Sequence, residues 1–474
     1  MITLTETIDV PRPVESCFRY VADFRTTVEW DATAVEANKL SPGPVDQGTQ
    51  FSVRCKAGRG HLNLAYEVTE FVPWQCLVLE GGGRWFTVKD VITFESLGND
   101  LTRIHYVAEF TFRRGLQRLA TRFERGFKKM GQVSMKRLAR ALTDDNPPPE
   151  ASQDTQRRDG KLTSALPCFT RYGYRRGQKT WRPMTADMTG KHVVLTGANA
   201  GLGFATAVSL LEAGATLTVV VRDPAKAADM QHALKAETGR EADTVELADL
   251  SLLSEVASLS ERLHAQSQPI DVLINNAGAL FNDYAETAEG IERSIALLLL
   301  SPWKLTESLL PMLEDHARPA RVINVVSGGM YTQKLRCDEL VMTHDKYNGS
   351  VAYARAKRAL TVLTELWAEI WRDHNIVVNS MHPGWADTPG VQTALPGFRR
   401  VTKRVLRSPA EGADTIVWLA RASEADQVSG KLFLDREPRT THLRPRTIER
   451  PEERARLLDW LTETYNTLHL NDKG

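Results

Sequence analysis

The chain has 474 residues, of which 42% are apolar and 25% are charged, and its formal net charge is +1. This length exceeds the usual size of a single domain and predicts two domains. The balanced charge excludes a global attraction to nucleic acid or to an acidic membrane. The longest apolar run, residues 295–300, is far shorter than the roughly 20 residues that a membrane-spanning helix needs.

The five cysteines lie at scattered positions, with neither the spacing of metal ligands nor that of a disulfide framework. No metal site is therefore predicted, and a reducing, cytoplasmic location is expected. The N-terminus alternates polar and apolar residues, which is typical of a strand and not of a signal peptide.

Residues 1–143 form the first predicted domain. Alternating residues between turn signals predict strands at 2–10, 49–55, 61–72, 76–80, 85–94 and 101–112. Apolar residues at helical spacing predict a short helix at 14–21 and a long one at 116–142. One strand, short helices, a meander and a long final helix make the helix-grip layout of the α+β class, a curved sheet wrapped around a helix.

Segments of this domain, among them VADFRTTVEWDA and YEVTEFVPWQCLVLEG, resemble the polyketide cyclase and START-like (SRPBCC) superfamily. The resemblance implies an internal cavity for an apolar ligand between the sheet and the long helix, but no particular reaction. Five aromatic residues could line that cavity or belong to the ordinary core: Trp30, Tyr66, Trp85, Phe94 and Tyr106.

The region of the long helix is strongly basic and contains a lone acidic residue, Glu124. Such a surface is typical of a solvated helix face, and it would also suit peripheral contact with an anionic membrane or an acidic partner. No basic groove interleaved with aromatic residues accompanies it, so nucleic-acid binding is not expected. The basic residues are Arg113, Arg114, Arg118, Arg122, Arg125, Lys128, Lys129, Lys136, Arg137 and Arg140.

Residues 144–165 are polar and begin with a proline-rich stretch, which predicts an exposed linker. The second domain is predicted over 166–474, with a core at 190–435 and a C-terminal extension. Residues 169–188 are too aromatic for a plain tether and are expected to pack on the second domain.

Strand-like and helix-like segments alternate from residue 193 onward, which predicts a doubly wound parallel sheet of the α/β class. In residues 191–204, KHVVLTGANAGLGF, an apolar strand stops at glycines and continues as a helix. Such a turn directs backbone N–H groups at a bound pyrophosphate.

Four further motifs follow in order: Asn275-Asn276-Ala277-Gly278, Ser327 after a strand at 321–326, Tyr353-x-x-x-Lys357, and Pro383-Gly384. A tyrosine and a lysine four residues apart share one face of a helix. With the glycine-rich turn, these motifs resemble the short-chain dehydrogenase/reductase superfamily over roughly residues 190–435. The segments INVVSGGMYTQKL and SGKLFLDREPRTTHL are similar to its dehydrogenase/reductase member 12 group.

The resemblance implies a Rossmann domain that binds a nicotinamide cofactor. The positions that match its cofactor-binding residues are Thr196, Gly197, Asn199, Gly201, Leu202, Gly203, Arg222, Asp249, Leu250, Asn276, Ala277, Gly278, Tyr353, Lys357, Pro383, Gly384 and Thr388.

The residues after the second strand of this domain predict the nucleotide. An acid there would bind the ribose 2′-hydroxyl of NAD, whereas a basic residue favours the 2′-phosphate of NADP. Val221 occupies the acid position and Arg222 follows it, which favours NADP(H). The alternative is that Asp223 reaches the ribose and NAD(H) is used.

The resemblance also implies the mechanism, a hydride transfer between the nicotinamide and a carbonyl or alcohol carbon. Tyr353 would protonate the nascent alkoxide, although a phenol ordinarily ionises only at about pH 10. Lys357 would stabilise the tyrosinate and hold the ribose hydroxyls. Ser327 would hydrogen-bond the substrate oxygen.

Leu298 departs from the family pattern. The family commonly has an asparagine here, which helps to hold a water of the proton relay, and leucine cannot perform that role. Ser301 likewise replaces a usual glycine. A catalytically weak NADP(H)-binding sensor or scaffold is therefore the alternative to an enzyme.

The sequence as a whole predicts an NADP(H)-dependent oxidoreductase for a hydrophobic carbonyl or alcohol, preceded by a module that binds an apolar ligand. Residues 387–401 fall where relatives place a substrate lid. Trp385, Leu395, Pro396 and Phe398 would then border an apolar substrate, or pack locally in an exposed loop. The resemblance also implies homo-oligomers, which are common among such reductases.

Overall fold

The computed structural model describes residues 2–41, 45–57, 60–83, 86–98, 101–112, 117–142, 149–159, 165–181, 184, 187–314, 319–372 and 374–471. For residues 16, 57, 117–125 and 468–471 it describes only the main chain. The chain divides into two compact units. The N-terminal unit comprises Met1–Pro147 and Arg182–Asp187, and the C-terminal unit comprises Pro148–Trp181 and Met188–Gly474.

The N-terminal unit is built on a sheet of seven strands: β1 (Ile2–Val10), β2 (Ala34–Lys39), β3 (Gln50–Ala57), β4 (Gly60–Val72), β5 (Cys76–Gly82), β6 (Phe86–Ser96) and β7 (Thr102–Phe112). Their order is β1-β7-β6-β5-β4-β3-β2, and every neighbouring pair is antiparallel. Successive side chains point to opposite faces, so the apolar half of each strand enters the core.

The described helices of this unit are α1 (Val14–Ala22), α2 (Thr27–Trp30) and α3 (Gln117–Leu142). Phe18 of α1 meets Phe71 and Phe94 edge to face, with ring centroids 5.2 and 5.1 Å apart. Leu138 of α3 is fully buried in the same core. The sheet therefore packs its inner face against helices at both ends of the domain sequence.

The C-terminal unit is built on a sheet of eight strands: β8 (His192–Thr196), β9 (Thr216–Val221), β10 (Thr244–Leu247), β11 (Val272–Asn275), β12 (Ala320–Val325), β13 (Ile376–Met381), β14 (Leu432–Leu434) and β15 (Glu437–Arg439). Their order is β10-β9-β8-β11-β12-β13-β14-β15. All neighbours are parallel except β14 and β15. Every residue of β8 is buried, as expected for a parallel strand covered on both faces.

The described helices of this unit are α4 (Gln153–Asp159), α5 (Arg171–Gln178), α6 (Gly201–Glu212), α7 (Pro224–Thr238), α8 (Leu253–Ala265), α9 (Arg293–Ile295), α10 (Ser301–Ser308), α11 (Leu310–Glu314), α12 (Gly349–Ile370), α13 (Pro389–Ala394), α14 (Pro396–Thr402), α15 (Pro409–Arg421) and α16 (Pro451–Asn471). A π-helical turn, Ala296–Leu300, joins α9 to α10. None of the helices that the structure describes is both long and apolar enough to cross a bilayer.

The predicted fold class, an α+β helix-grip domain before a doubly wound α/β domain, is confirmed by these two sheets. Strand β2 was not predicted from the sequence. Its sequence, AVEANK, has a weak alternating pattern, and the strand exists because it pairs with β3 at the edge of the sheet.

The segment 144–165, for which composition predicts an exposed linker, contains helix α4. Its Asp159 forms an ion pair with Arg439 of β15, and the two side chains are only 9% and 5% exposed. The same carboxylate accepts a hydrogen bond from the backbone N–H of Thr440 at 3.1 Å. Composition does not reveal this attachment, because the partner lies 280 residues further along the chain.

Candidate active site

The turn between β8 and α6 depends on glycines at two close approaches of the backbone. Gly197 has a φ angle of +71°, and a Cβ there would lie 2.8 Å from the Cα of Ala277. A Cβ at Gly203 would lie 2.1 Å from the carbonyl oxygen of Gly197. Any larger residue would force the turn open.

Thr196 and Asn276 tie this turn to the loop after β11. The Thr196 hydroxyl accepts hydrogen bonds from the N–H groups of Asn276 and Ala277, both at 3.0 Å. The Asn276 amide donates to the carbonyls of Thr196 and Gly197 at 2.8 and 3.0 Å. The two sequence motifs thus brace each other and form one wall of a cleft.

The turn fits the pyrophosphate of a dinucleotide. Helix α6 begins after Ala200, and no side chain caps its first amide groups. Uncapped amides and the positive end of the helix dipole favour an anion. The glycines at 197 and 203 keep the adjoining backbone free of side chains, so phosphates can approach the main chain.

Residues that follow β9 and β10 also line this cleft. The Arg222 side chain is 68% exposed and its Nη1 lies 3.4 Å from Oδ2 of Asp249. Asp223 caps α7, because its Oδ1 accepts hydrogen bonds from the N–H groups of Ala225 and Lys226. Burial tends to raise the pKa of Asp249, but hydrogen bonds from Ser251 and the nearby Arg222 leave that pKa lowered.

Ser327, Tyr353 and Lys357 meet at the carboxyl end of β12. Helix α12 starts after Asn348, whose side chain accepts a hydrogen bond from the N–H of Val351 at 3.1 Å. The helix places Tyr353 and Lys357 one turn apart on one face. The side chains of Ser327, Tyr353 and Lys357 line the same cleft, so the three polar groups form one cluster.

Burial governs protonation in this cluster. The Lys357 amine donates to the carbonyl of Val325 at 2.7 Å, and the side chain is 2% exposed. Burial disfavours its charged form and lowers the pKa of Lys357 to about 7. Burial also raises the pKa of Tyr353, an effect that the neighbouring Ser327 hydroxyl partly offsets. Tyr353 therefore holds its proton at neutral pH.

Replacing Lys357 by methionine should change how stability depends on pH. The pKa of Lys357 is lower in the folded than in the unfolded chain, so the unfolded chain binds more protons above pH 7. The loss of folding stability caused by burying this lysine therefore becomes smaller as pH rises. We expect wild type to gain stability relative to Lys357→Met between about pH 7 and pH 10, measured by urea unfolding. The exposed Lys346→Met serves as control, and a difference that is constant with pH would contradict the expectation.

A cleft of about 600 Å³ collects the predicted site residues. Thr196 is the exception, since it lies behind the wall and acts through its hydrogen bonds. Apolar residues form the remaining wall: Ala279, Leu280, Phe281, Leu297, Trp385, Val391, Leu395 and Phe398. Pro396 of the predicted lid does not line the cleft. An ion pair between Asp387 and Arg399, at 2.7 Å, joins the two ends of that lid.

Leu298 is fully buried and does not line the cleft, whereas its neighbour Leu297 does. Its Cδ2 would lie 3.0 Å from a Cβ placed on Gly278, so the leucine packs closely against the loop after β11. The side chain therefore fills space beside this loop and offers no hydrogen bond there.

Three residues that support the cleft were not predicted from the sequence: Phe169, His382 and Arg407. The Trp385 N–H donates to the Phe169 carbonyl at 2.7 Å. Buried His382 accepts a hydrogen bond at Nδ1 from the N–H of Gly384 at 2.9 Å, and its ring meets that of Phe169 at 4.4 Å. The Nε–H group of Arg407 donates to the same Phe169 carbonyl at 3.2 Å. Residue 169, far away in the chain, thus supports the loop at 383–385, and no local pattern predicts this.

The N-terminal domain has a separate, small cavity of about 60 Å³. Of the aromatic residues proposed for it, Trp30, Tyr66 and Tyr106 line it, Phe94 belongs to the surrounding core, and Trp85 lies outside the described residues. The basic surface is only partly described, since the side chains of residues 113–125 lie outside the described part. Its remaining members are exposed: Lys128, Lys129, Lys136, Arg137 and Arg140.

Comparison with known proteins identifies the families that the two parts of the chain match. Residues 191–397 match the family described as short chain dehydrogenase, and residues 1–143 match the family described as polyketide cyclase / dehydrase and lipid transport. Dehydrogenase/reductase SDR family member 12 of Homo sapiens is 39% identical over 304 residues, 63% of this chain and 94% of the human protein. Retinol dehydrogenase 14 of Mus musculus is 34% identical over 264 residues, 52% of this chain and 78% of the mouse protein.

A solved structure, the Pseudomonas aeruginosa RhlG/NADP active-site complex, is 25% identical, covers 52% of this chain and 95% of its own, and has a TM-score of 0.43. The predicted resemblances to the two families are confirmed by the sequence matches. Since it covers nearly the whole length of a relative that is 39% identical, this chain belongs to the short-chain dehydrogenase/reductase family of oxidoreductases and carries a polyketide cyclase-like domain ahead of its reductase domain.

Proposed function

We propose that the protein is an NADP(H)-dependent oxidoreductase that interconverts a hydrophobic carbonyl compound and its alcohol. The convergence of Ser327, Tyr353 and Lys357 on a cleft that also has an apolar wall carries this proposal. Alcohol and ketone chemistry is that of the family, and a relative named retinol dehydrogenase supports an apolar substrate.

The chain's own residues would hold the cofactor in three groups. The amides of the turn from Gly197 to Gly203 would hold the pyrophosphate, and Asp249 and Leu250 would border the adenine. The loops at Asn276–Gly278 and Pro383–Thr388 would border the nicotinamide ribose and ring. Once bound, the nicotinamide supplies the hydride chemistry.

The cluster of Ser327, Tyr353 and Lys357 would move the proton. In the direction of reduction, the Ser327 hydroxyl would donate to the substrate oxygen and stabilise its developing charge. Tyr353, protonated at neutral pH, would deliver its proton to that oxygen. Lys357 would stabilise the tyrosinate that remains, and the ribose hydroxyls would add acceptors that favour its charged form.

The preference for NADP(H) rests on Arg222, which lies at the nucleotide end of the cleft with most of its side chain exposed. The competing reading, in which Asp223 binds the ribose of NAD, is disfavoured because that carboxylate caps helix α7. The Arg222 guanidinium can pair with a 2′-phosphate through charge-assisted hydrogen bonds.

Replacing Arg222 by leucine should therefore weaken NADPH binding selectively. Loss of a hydrogen bond between charged groups predicts a Kd about 10- to 100-fold higher for NADPH, with little change for NADH. Fluorescence titration of both cofactors measures this. Arg336→Leu, which removes another exposed arginine outside the cleft, is the control. Equal losses for the two cofactors would rule out a role in reading the phosphate.

We further propose a division into a ligand-binding domain at 1–143, a connecting segment at 144–165 and a reductase domain at 166–474. The N-terminal domain would bind the substrate of the reductase domain or its product. The match to a family described by lipid transport supports a ligand-binding role. Homo-oligomerisation is a further proposal, based on the family alone.

A sensor or scaffold that binds NADP(H) without efficient turnover is the second candidate. Buried Leu298 favours it, because its side chain cannot hold the water of the proton relay that the family's usual asparagine helps to hold. Such a protein would keep the cofactor cradle and would not depend on the Tyr353 hydroxyl.

Cofactor binding and turnover by the purified full chain test the two candidates together. NADPH and NADH affinities come first, followed by NADPH oxidation with a panel of apolar aldehydes and ketones. Tight NADPH binding with turnover supports the reductase. Tight binding without turnover across the panel favours the sensor, and absence of NADPH binding contradicts both.

A further inference from the structure

Asp90 is a carboxylic acid within an otherwise apolar row of strand β6. Alternation along the strand turns Phe86, Val88, Asp90, Ile92 and Phe94 to the same face, which is the face that enters the core. Asp90 is only 3% exposed. A buried carboxyl group is costly unless something satisfies it, so its presence at this position requires an explanation.

Asp90 faces the 60 Å³ cavity of the N-terminal domain. Each buried water needs roughly 10–15 Å³ of such volume, so the cavity has room for several waters or for the compact head of a ligand. Its polar lining consists of Glu6, Thr27, Asp31, Cys55, Tyr66, Asp90, Tyr106 and Ser134. None of the described lining residues carries a positive charge, and no cation therefore neutralises Asp90 from within the cavity.

The two phenols of the cavity are held by packing. The ring of Tyr106 meets Trp30 edge to face at 5.9 Å, and Tyr106 lines the cavity together with Asp90. The ring of Tyr66 meets Phe24 at 4.9 Å and packs on Gly81, where a Cβ would lie 2.4 Å from it. These groups are consequently positioned before any ligand enters.

Burial raises the pKa of Asp90 to about 7, and the negative charge of Asp31 adds to this effect, while the Tyr106 hydroxyl opposes it. The other titratable groups around the cavity are Glu6, Cys55 and Tyr66. Burial keeps Cys55 and Tyr66 in their neutral forms, because it raises the pKa of both. Near neutral pH a substantial fraction of Asp90 therefore carries a proton and can donate it in a hydrogen bond.

We propose that the N-terminal domain recognises a carbonyl compound through a hydrogen bond from the Asp90 carboxyl group to the ligand oxygen. Asp90 and Tyr106 line the same cavity, so a proton on the Asp90 carboxyl group is available to a ligand oxygen there. A wholly apolar ligand would bury this donor against hydrocarbon, which is unfavourable. The inference rests on the proposed ligand-binding role of this domain and gives both domains the same class of compound.

Two matched fluorinated probes test the proposal on the full chain without cofactor: 4,4-difluorocyclohexanone and its analogue with a methylene group in place of the oxygen. Fluorine NMR at pH 6 measures the affinity of each. We expect the ketone to bind about tenfold more tightly or better. Asp90→Leu should remove this preference. Asp90→Asn, whose amide can still donate, should keep it and guard against a folding defect.

The dependence on pH gives a second readout. Ketone affinity should fall in the wild type as pH rises from 6 to 8.5, since Asp90 then loses its proton, and it should stay level in Asp90→Asn. Equal binding of the two probes overturns the inference and leaves the ligand-binding role standing. Absence of binding by both overturns the inference and that role together. A ketone preference removed by Ser327→Ala but not by Asp90→Leu would assign the ketone to the reductase cleft and also overturn the inference.

Discussion

Replacing Tyr353 by phenylalanine is expected to lower kcat by about 100- to 10,000-fold, the range over which a positioned general acid acts. The variant loses only the hydroxyl that lines the cleft beside Ser327, and the ring can remain in place on helix α12. The glycine turn that would hold the pyrophosphate is untouched. NADPH affinity should consequently stay close to that of the wild type, measured by fluorescence titration beside the turnover assay.

Tyr284→Phe is the matched control, because it removes a tyrosine hydroxyl that bonds Glu286 outside the cleft. It should leave both turnover and NADPH affinity unchanged. Wild-type turnover that survives in Tyr353→Phe would contradict the proposed acid. Loss of NADPH binding in that variant would instead indicate that the substitution damages the site as a whole.

Replacing Arg407 by methionine is expected to destabilise the reductase domain by about 3–5 kcal/mol, as for other broken buried ion pairs. Arg407 is 1% exposed and pairs with Asp435 at 2.6 Å. Its guanidinium also donates to the carbonyls of Cys168 and Phe169, at 2.6 and 3.2 Å. Methionine fills similar space but leaves a buried carboxylate and two carbonyl oxygens without these donors.

Urea unfolding followed by circular dichroism measures this effect in the transition of the reductase domain. Arg456→Met removes an exposed pair with Asp338 and should cost less than about 1 kcal/mol. Burial raises the pKa of Asp435, and this pKa should rise further once Arg407 is gone. The Arg407→Met penalty should therefore shrink as pH falls and Asp435 takes up a proton. Equal penalties for the two variants would show that the buried pair contributes no more than an exposed one.

Local patterns were sufficient for most of the fold. Residues 2–10 alternate between apolar and polar because strand β1 is buried on one face, and strand β8 is apolar throughout because it is buried on both faces. Both patterns predict strands directly from the sequence. Strand β2 was not predicted, because an edge strand needs few buried side chains. Helix α4 was not predicted, because the ion pair of Asp159 with Arg439 that supports it joins residues far apart in the chain.

The candidate site likewise contains residues that the sequence predicts and residues that only the structure reveals. The glycines, the Tyr353-x-x-x-Lys357 spacing and Ser327 could be found from the sequence, since a phosphate cradle and a one-turn side-chain pair require fixed residue types at short spacings. Their convergence on one cleft follows from parallel strands, whose carboxyl ends share an edge of the sheet. The support that Phe169 and Arg407 give to the loop at 383–385 could not be found in this way.

By itself, the sequence determined the two fold classes and predicted the polar residues that line the cleft of the second domain, because local periodicity and short motifs encode them. Only the tertiary structure decided which distant residues support that cleft and that Asp90 meets Tyr66 and Tyr106 in one cavity. The physical reason is that burial, and with it the protonation of Asp90 and Lys357, arises from contacts between strands and helices far apart in the chain.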